Sequence, residues 1–137
     1  MVDLVITPAN VRSEGGASLG EKTSGVALTA GQVLTLDTDA TAILASDATV
    51  ELARAIGIAL QNVGAGQPIK YQSKGRINLG ATLEVGKHYV LSAAGAIAPV
   101  DDIEPGNFAT YLGWAESTSI LRLQPLTATV AAAAAVV

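Results

Sequence analysis

The chain has 137 residues, the size of one domain, and half of them are apolar while only 15 % are charged. Its formal net charge is −4 and its eight basic residues are scattered, so it lacks the basic stripe that neutralises a phosphate backbone, and nucleic acid is not an expected partner. With no cysteine there are neither disulfides nor thiolate chemistry, and the longest apolar run, "VAAAAAVV", is far short of the roughly 20 residues that cross a bilayer, so no membrane partner is expected.

In chain order, residues 1–24 read as an extended arm. "VDLVIT" (Val2, Asp3, Leu4, Val5, Ile6, Thr7) has strand character, but Pro8 and the Gly/Ser-rich "SEGGASLGEKTSG" interrupt the pattern. No basic segment followed by a long apolar run opens the chain, so a signal peptide is not expected. Gly15 and Gly20 have the spacing of a phosphate-binding loop, but Glu21 separates Gly20 from Lys22. That insertion displaces the lysine and puts a negative charge where phosphate would lie, and the stretch reads as a flexible linker.

From Gly25 onward, short runs rich in Val, Ile, Leu and Thr alternate with Gly, Asp and Asn. Strands are expected over 25–29, 32–37, 42–45, 55–61, 68–73, 76–80, 88–92, 96–100, 109–117 and 119–125. The join between 68–73 and 76–80 reads as a solvated hairpin carrying Lys70, Lys74 and Arg76. Residues 46–55 suit one helical turn capped by Ser46 or Asp47, and the acidic 101–107 suits a turn. The apolar tail, 126–137, contains good helix formers but is too short to be a stable helix without a neighbour.

A phrase recurs within the 25–125 domain. Leu28, Gly31, Leu34 and Leu36 match Leu83, Gly86, Tyr89 and Leu91. With a one-residue gap, Ala42-Ile43 then matches Ala96-Ile97. "AIGIA" (55–59) matches "YLGWA" (111–115), and "IKYQ" (69–72) matches "LRLQ" (121–124). Two copies of one β unit, 26–76 and 80–125, account for this order. Gly31 and Gly86 fall where a tight turn requires positive φ, and Gly57 and Gly113 fall inside strands, where glycine marks a bulge or a close backbone approach. The fold expected is therefore all-β: a compact small barrel or sandwich of two similar β units, with an extended N-terminal arm and little helix.

Residue types that carry chemistry are sparse. His88 is the only histidine and has no neighbouring nucleophile or carboxylate in sequence; its counterpart in the first unit is Val33, which makes it a strand-face residue. Asp37 with Asp39 and Asp101 with Asp102 lack the further oxygen ligands and closing Glu of a calcium loop and read as turn formers. No catalytic residue, cofactor or metal site is expected, and the chain does not read as an enzyme. Phe108, Tyr111 and Trp114 form the one aromatic group in the sequence. They are candidate interface anchors, because Trp and Tyr are enriched where partners bind.

Three runs, "GVALTAGQVLTLD", "RAIGIALQNVGAGQPIKYQSKGRINLGATLEVGKHYVLSAAGAIAPV" and "YLGWAESTSILRLQ", resemble the capsid cement or decoration proteins of tailed bacteriophages, small Ala/Gly-rich proteins encoded beside the major capsid protein. The resemblance covers roughly residues 20–125. It implies a compact β domain that trimerises, seats on the outer surface of the icosahedral head of the virion and clamps neighbouring major capsid protein subunits. By similarity to lambda-type decoration proteins, the arm would add a strand to the shell, and Val2, Asp3, Leu4, Val5, Ile6 and Thr7 are the residues that match it. The other readings are a tail or fibre domain, or a glycan-binding module centred on Trp114.

Overall fold

The runs of β-branched residues and leucine that alternate at period two do form strands. The computed structural model describes residues 3–49, 51–100, 108 and 110–126, and these build an all-β fold, a curled antiparallel sheet. Ten strands make it up: β1 (Val11–Ser13), β2 (Ser18–Thr23), β3 (Val33–Leu36), β4 (Ala42–Leu44), β5 (Gly57–Ala59), β6 (Pro68–Leu79), β7 (His88–Leu91), β8 (Ile97–Pro99), β9 (Tyr111–Ala115) and β10 (Ile120–Leu126). The order is β4-β3-β5-β6-β10-β9-β7-β8, with β1 and β2 both paired to β6. The sequence-based expectations at Val2, over 101–107 and over 127–137 lie outside the described residues.

Outward from the central β6–β10 pair, the two halves repeat one another: β6-β5-β3-β4 and β10-β9-β7-β8. The registers agree residue by residue. Val33 and Leu34 oppose Ile58 and Gly57, as His88 and Tyr89 oppose Trp114 and Gly113. Each unit begins with the same turn, in which the Gln32 amide donates to the Thr29 carbonyl and the Lys87 amide to the Glu84 carbonyl. Gly31 (φ 94°) and Gly86 (φ 82°) occupy the third position of these turns, where positive φ is required. Both turns dock alike: the Gly31 amide donates to Ala59, the Gly86 amide to Ala115, and the amides of Ala59 and Ala115 donate back to Gln32 and Lys87.

The structure corrects two details of the sequence alignment. Leu36 opposes Ala42 and Leu91 opposes Ile97, so the two hairpins have equal length, no gap is needed and Ala42 corresponds to Ile97. Ile58 opposes Gln72 and Trp114 opposes Arg122, so Gln72 corresponds to Arg122, two places from the sequence match. A shift of two keeps each residue on its face, whereas the one-residue gap exchanged the faces of β4 and β8.

Alternation distributes the apolar residues between two cores. Leu28, Leu34, Ala42, Ala59 and Ile69 fill the interior of the first unit. Their neighbours Val33 and Ile58 point the other way, into a larger cluster with Tyr89, Leu91, Leu112, Ala115, Leu121 and Leu123 of the second unit. The first unit is thus packed by its outer face into the curl of the second. The loop over 46–55 is pinned at this junction by the Thr35 hydroxyl on the Arg54 carbonyl (2.7 Å) and the Thr110 hydroxyl on the Ala53 carbonyl (2.6 Å). Its single turn is closed by the Ala53 amide on the Thr49 carbonyl, with Thr49 Oγ1 accepting from Leu52, and Ser46 Oγ accepts from the Ala48 amide (3.2 Å) at its start.

Four further expectations change. No strand forms over 25–29, where Leu28 makes one isolated bridge to Val63. The expected hairpin at Lys74–Arg76 is absent, because β6 runs unbroken through Gly75 (φ 97°). The buried Gln72 holds that irregularity, its Nε2 donating to the carbonyls of Lys74 (3.0 Å) and Arg76 (2.8 Å). The linker at 18–23 is instead β2, in which Gly20 lies opposite Tyr71 and under its ring, so close that a Cβ on Gly20 would meet the ring Cζ at 2.6 Å. The fourth change concerns the arm, which does not stand off from the domain. β1 and β2 run antiparallel along β6, and the turn between them sits over Gly75, whose Cβ would strike the Gly16 carbonyl.

Candidate interaction surface

The pairing of β7, β9, β10 and β6 sets four residues in one transverse row. His88 opposes Trp114, Trp114 opposes Arg122, and Arg122 opposes Arg76. All four are exposed, because their sequence neighbours Tyr89, Ala115, Leu121, Leu123 and Ile77 turn inward to the core. The matching row of the first unit, Val33, Ile58 and Gln72, is completely buried. The same strand positions therefore carry apolar or amide side chains where the face is covered and His, Trp and Arg where it is open.

Within the row, the Arg122 guanidinium carbon lies 5.8 Å from the centre of the Trp114 ring, a cation–π contact that orients the guanidinium. Two like charges directly opposite one another repel, and Glu116 relieves this by bridging them. Its Oε1 accepts from Arg122 Nη1 (3.1 Å) and from Arg76 Nε (3.2 Å), with Oε2 also 3.1 Å from Arg76 Nε. Trp114 keeps 39 % of its surface exposed. A cleft of about 220 Å³ opens beside it between β6 and β10, with Lys74, Arg122 and Gln124 on its walls. At the other end of the row, His88 Nδ1 lies 2.8 Å from the Tyr111 hydroxyl, and burial pushes the Tyr111 phenol above its ordinary pKa.

The aromatic candidates are thus placed in three settings rather than in one cluster. Trp114 stands on the open face, Tyr111 is half-buried against His88, and Phe108 packs on the main core. Along the arm, Asp3 and Thr7 are exposed and Val5 is 88 % exposed, while Leu4 and Ile6 pack on the core. The Leu4 amide donates to Ile97 at the rim of β8 (2.7 Å) and the Thr7 amide to Gly80 (2.8 Å). Gly57 and Gly113 sit at equivalent points: a Cβ on Gly57 would strike the Gln72 carbonyl, and one on Gly113 the Arg122 carbonyl.

Asp37 forms the first hairpin turn. Its carboxylate accepts from the Thr41 hydroxyl (2.6 Å) and from the amides of Thr41 and Asp39, which lowers its pKa, the hydroxyl being the largest cause. Among the described residues, no three His, Cys, Asp or Glu side chains come together as a metal site would require, and no helix is long and apolar enough to cross a membrane. No protein-family model matches the sequence, and no curated protein matches it.

Proposed function

We propose that this chain is a capsid decoration protein of a tailed bacteriophage, a non-enzymatic module that binds the outer surface of the head as a homotrimer and braces neighbouring major capsid protein subunits. The observation that carries this reading is where the family-like residues fall. The "LTAGQVL" and "LEVGKHYVL" phrases are the paired turns that dock each unit, and Gly57 and Gly113 are the points where β5 meets the backbone of β6 and β9 meets the backbone of β10 without room for a Cβ. The resemblance thus rests on residues the fold needs rather than on composition alone. A low-charge, sheet-built body with large apolar side chains exposed at Val5, Leu19, Val26, Val85 and Trp114 suits a rigid clamp, and trimerisation would multiply a modest contact into firm attachment.

The test is binding to expanded phage heads that lack their decoration protein. The expected outcome is co-sedimentation with the heads, a native mass of three chains, and heads that withstand heating and chelation better than bare ones. A monomer that leaves the heads unbound sinks the reading. Truncation at Gly25 would be a poor probe of the arm, because it removes β1 and β2 from the sheet. Val5→Asp is better, since that side chain faces solvent: it should weaken head binding about tenfold or more while leaving the urea midpoint unchanged.

One observation favours a second reading, a tail, fibre or glycan-binding module. Trp114 stands exposed beside the polar groups His88 and Arg122, and exposed aromatics flanked by polar groups bind sugar rings. Glycan-array binding abolished by Trp114→Ala would establish it.

A further inference from the structure

The open face of the second unit, together with the end of β6 that pairs with β10, carries more positive charge than the described residues around it neutralise. Among the described residues, Glu116 is the carboxylate paired with both Arg76 and Arg122, and Lys74 stands with Arg122 on the same cleft, which leaves two of these three charges over on a chain whose net charge is −4. Glu116 is held by one nitrogen of each arginine, Nε of Arg76 and Nη1 of Arg122, so each guanidinium has further N–H groups to offer. Among the described residues, Lys74 has no ion-pair partner. Arg122 is held over Trp114, which reduces the entropy it would lose on clamping a ligand. The neighbouring cleft offers an apolar wall at Trp114, and cations at Lys74 and Arg122.

We propose that this face docks an acidic segment of a partner protein, with a carboxylate of that segment held by Arg122 and Lys74 and its adjoining apolar atoms laid on Trp114. Carboxylate matches the planar fork of the guanidinium. The acidic chain as a whole repels a long phosphate polymer, and the face has one exposed aromatic rather than a series on which bases could stack. The contrast with the first unit adds an independent argument. There the equivalent row, Val33, Ile58 and Gln72, carries no charge and is already covered within the chain. In the second unit the row has kept one large apolar ring in a charged setting, the composition found at the anchors of protein interfaces. This inference names the contact chemistry of the binding role proposed above and rests on that reading only in taking the partner to be a protein.

Trp114 is the only tryptophan, so its emission reports on this face directly. The full chain is titrated with poly-L-glutamate, with a dT oligonucleotide of matched charge, and with more of itself. Poly-L-glutamate should give a saturable change that weakens as ionic strength rises from about 0.01 M to 0.15 M, where the screening length falls from about 30 Å to 8 Å. The change should weaken about tenfold or more in an Arg122→Gln/Lys74→Gln variant whose urea midpoint and far-UV spectrum are unaltered. No saturable change, or an equal change in the double variant, overturns the proposal. Tighter binding of the oligonucleotide reassigns the face to nucleic acid and also overturns it, as does a change that depends on protein concentration alone, which would make the occupant a second copy. Heads left unbound by a chain that does bind poly-L-glutamate would remove the decoration reading and leave this one standing. A double variant that fails to bind poly-L-glutamate but binds heads as the parent chain does would overturn the assignment of this face to the head contact.

Discussion

Gly57 and Gly113 show how closely single residues govern this fold. Each faces the carbonyl of an equivalent residue on the neighbouring long strand, Gln72 or Arg122, closer than any Cβ could be accommodated, and Gly113 also has φ 154°. The backbone is the obstacle, and it cannot rotate away as a side chain can. Gly57→Ala and Gly113→Ala should each cost about 3 kcal/mol or more in urea unfolding. Gly86→Ala, whose Cβ would meet nothing within 4 Å, should cost only about 1 kcal/mol for its positive φ. Gly31 shares the turn of Gly86, but a Cβ there would meet Ile6 at 2.6 Å, so Gly31→Ala should be the worse of that pair. Equal costs at Gly31 and Gly86 would show that the arm is not held against the turn. The four glycines were legible in the sequence from their spacing, and so was the contrast of Val33 with His88 and Ile58 with Trp114. The partners of Gly31 were not, because Ile6 lies outside the repeat and reaches the turn only through the path of the arm.

Among the elements, the N-terminal segment departs furthest from its sequence. Its glycines and serines suggest a linker, since local propensity is all that a short polar stretch displays. What makes Ser18–Thr23 a strand is the unpaired edge of β6, which supplies main-chain partners whatever the side chains are. The same segment then closes both halves: Gly25 donates to Ala42 on β4, and Leu4 donates to Ile97 at the equivalent position on β8. Deleting residues 1–10 removes the Leu4 and Thr7 bonds and the packing of Leu4 and Ile6, and should lower stability by about 3 kcal/mol while unfolding stays cooperative. Deleting residues 1–24 also strips β1 and β2 from β6 and should abolish the cooperative urea transition. A cooperative transition in the longer deletion would mean that the repeat folds unaided. β6 departs from its sequence for a related reason. "SKGR" has the residues of a turn, but pairing with β2 and β10 and the Gln72 amide, reaching the carbonyls on both sides of Gly75, keep the chain extended in direction.

At the scale of the molecule, two units of the same register do different work because the first is packed into the second. The repeat is therefore symmetric in its strands and asymmetric in its faces, and that asymmetry can be tested by exchange. His88→Val, Trp114→Ile and Arg122→Gln would give the second unit the outer row of the first. Those positions are exposed and their ion pair lies at the surface, so folding stability should change by no more than about 1 kcal/mol. The cost should appear elsewhere, as concentration-dependent association in sedimentation velocity, because a new apolar patch would lie open to solvent. Val33→His with Ile58→Trp makes the opposite exchange. Both positions are fully buried among apolar side chains, so an unpartnered imidazole and an oversized ring would enter the junction between the units. That should cost on the order of 4 kcal/mol or more, enough to unfold much of a domain whose whole stability is roughly 5–15 kcal/mol. If the two exchanges proved equally costly, both rows would have to be structural, and the open face of the second unit would lose its claim to be a place where a partner binds.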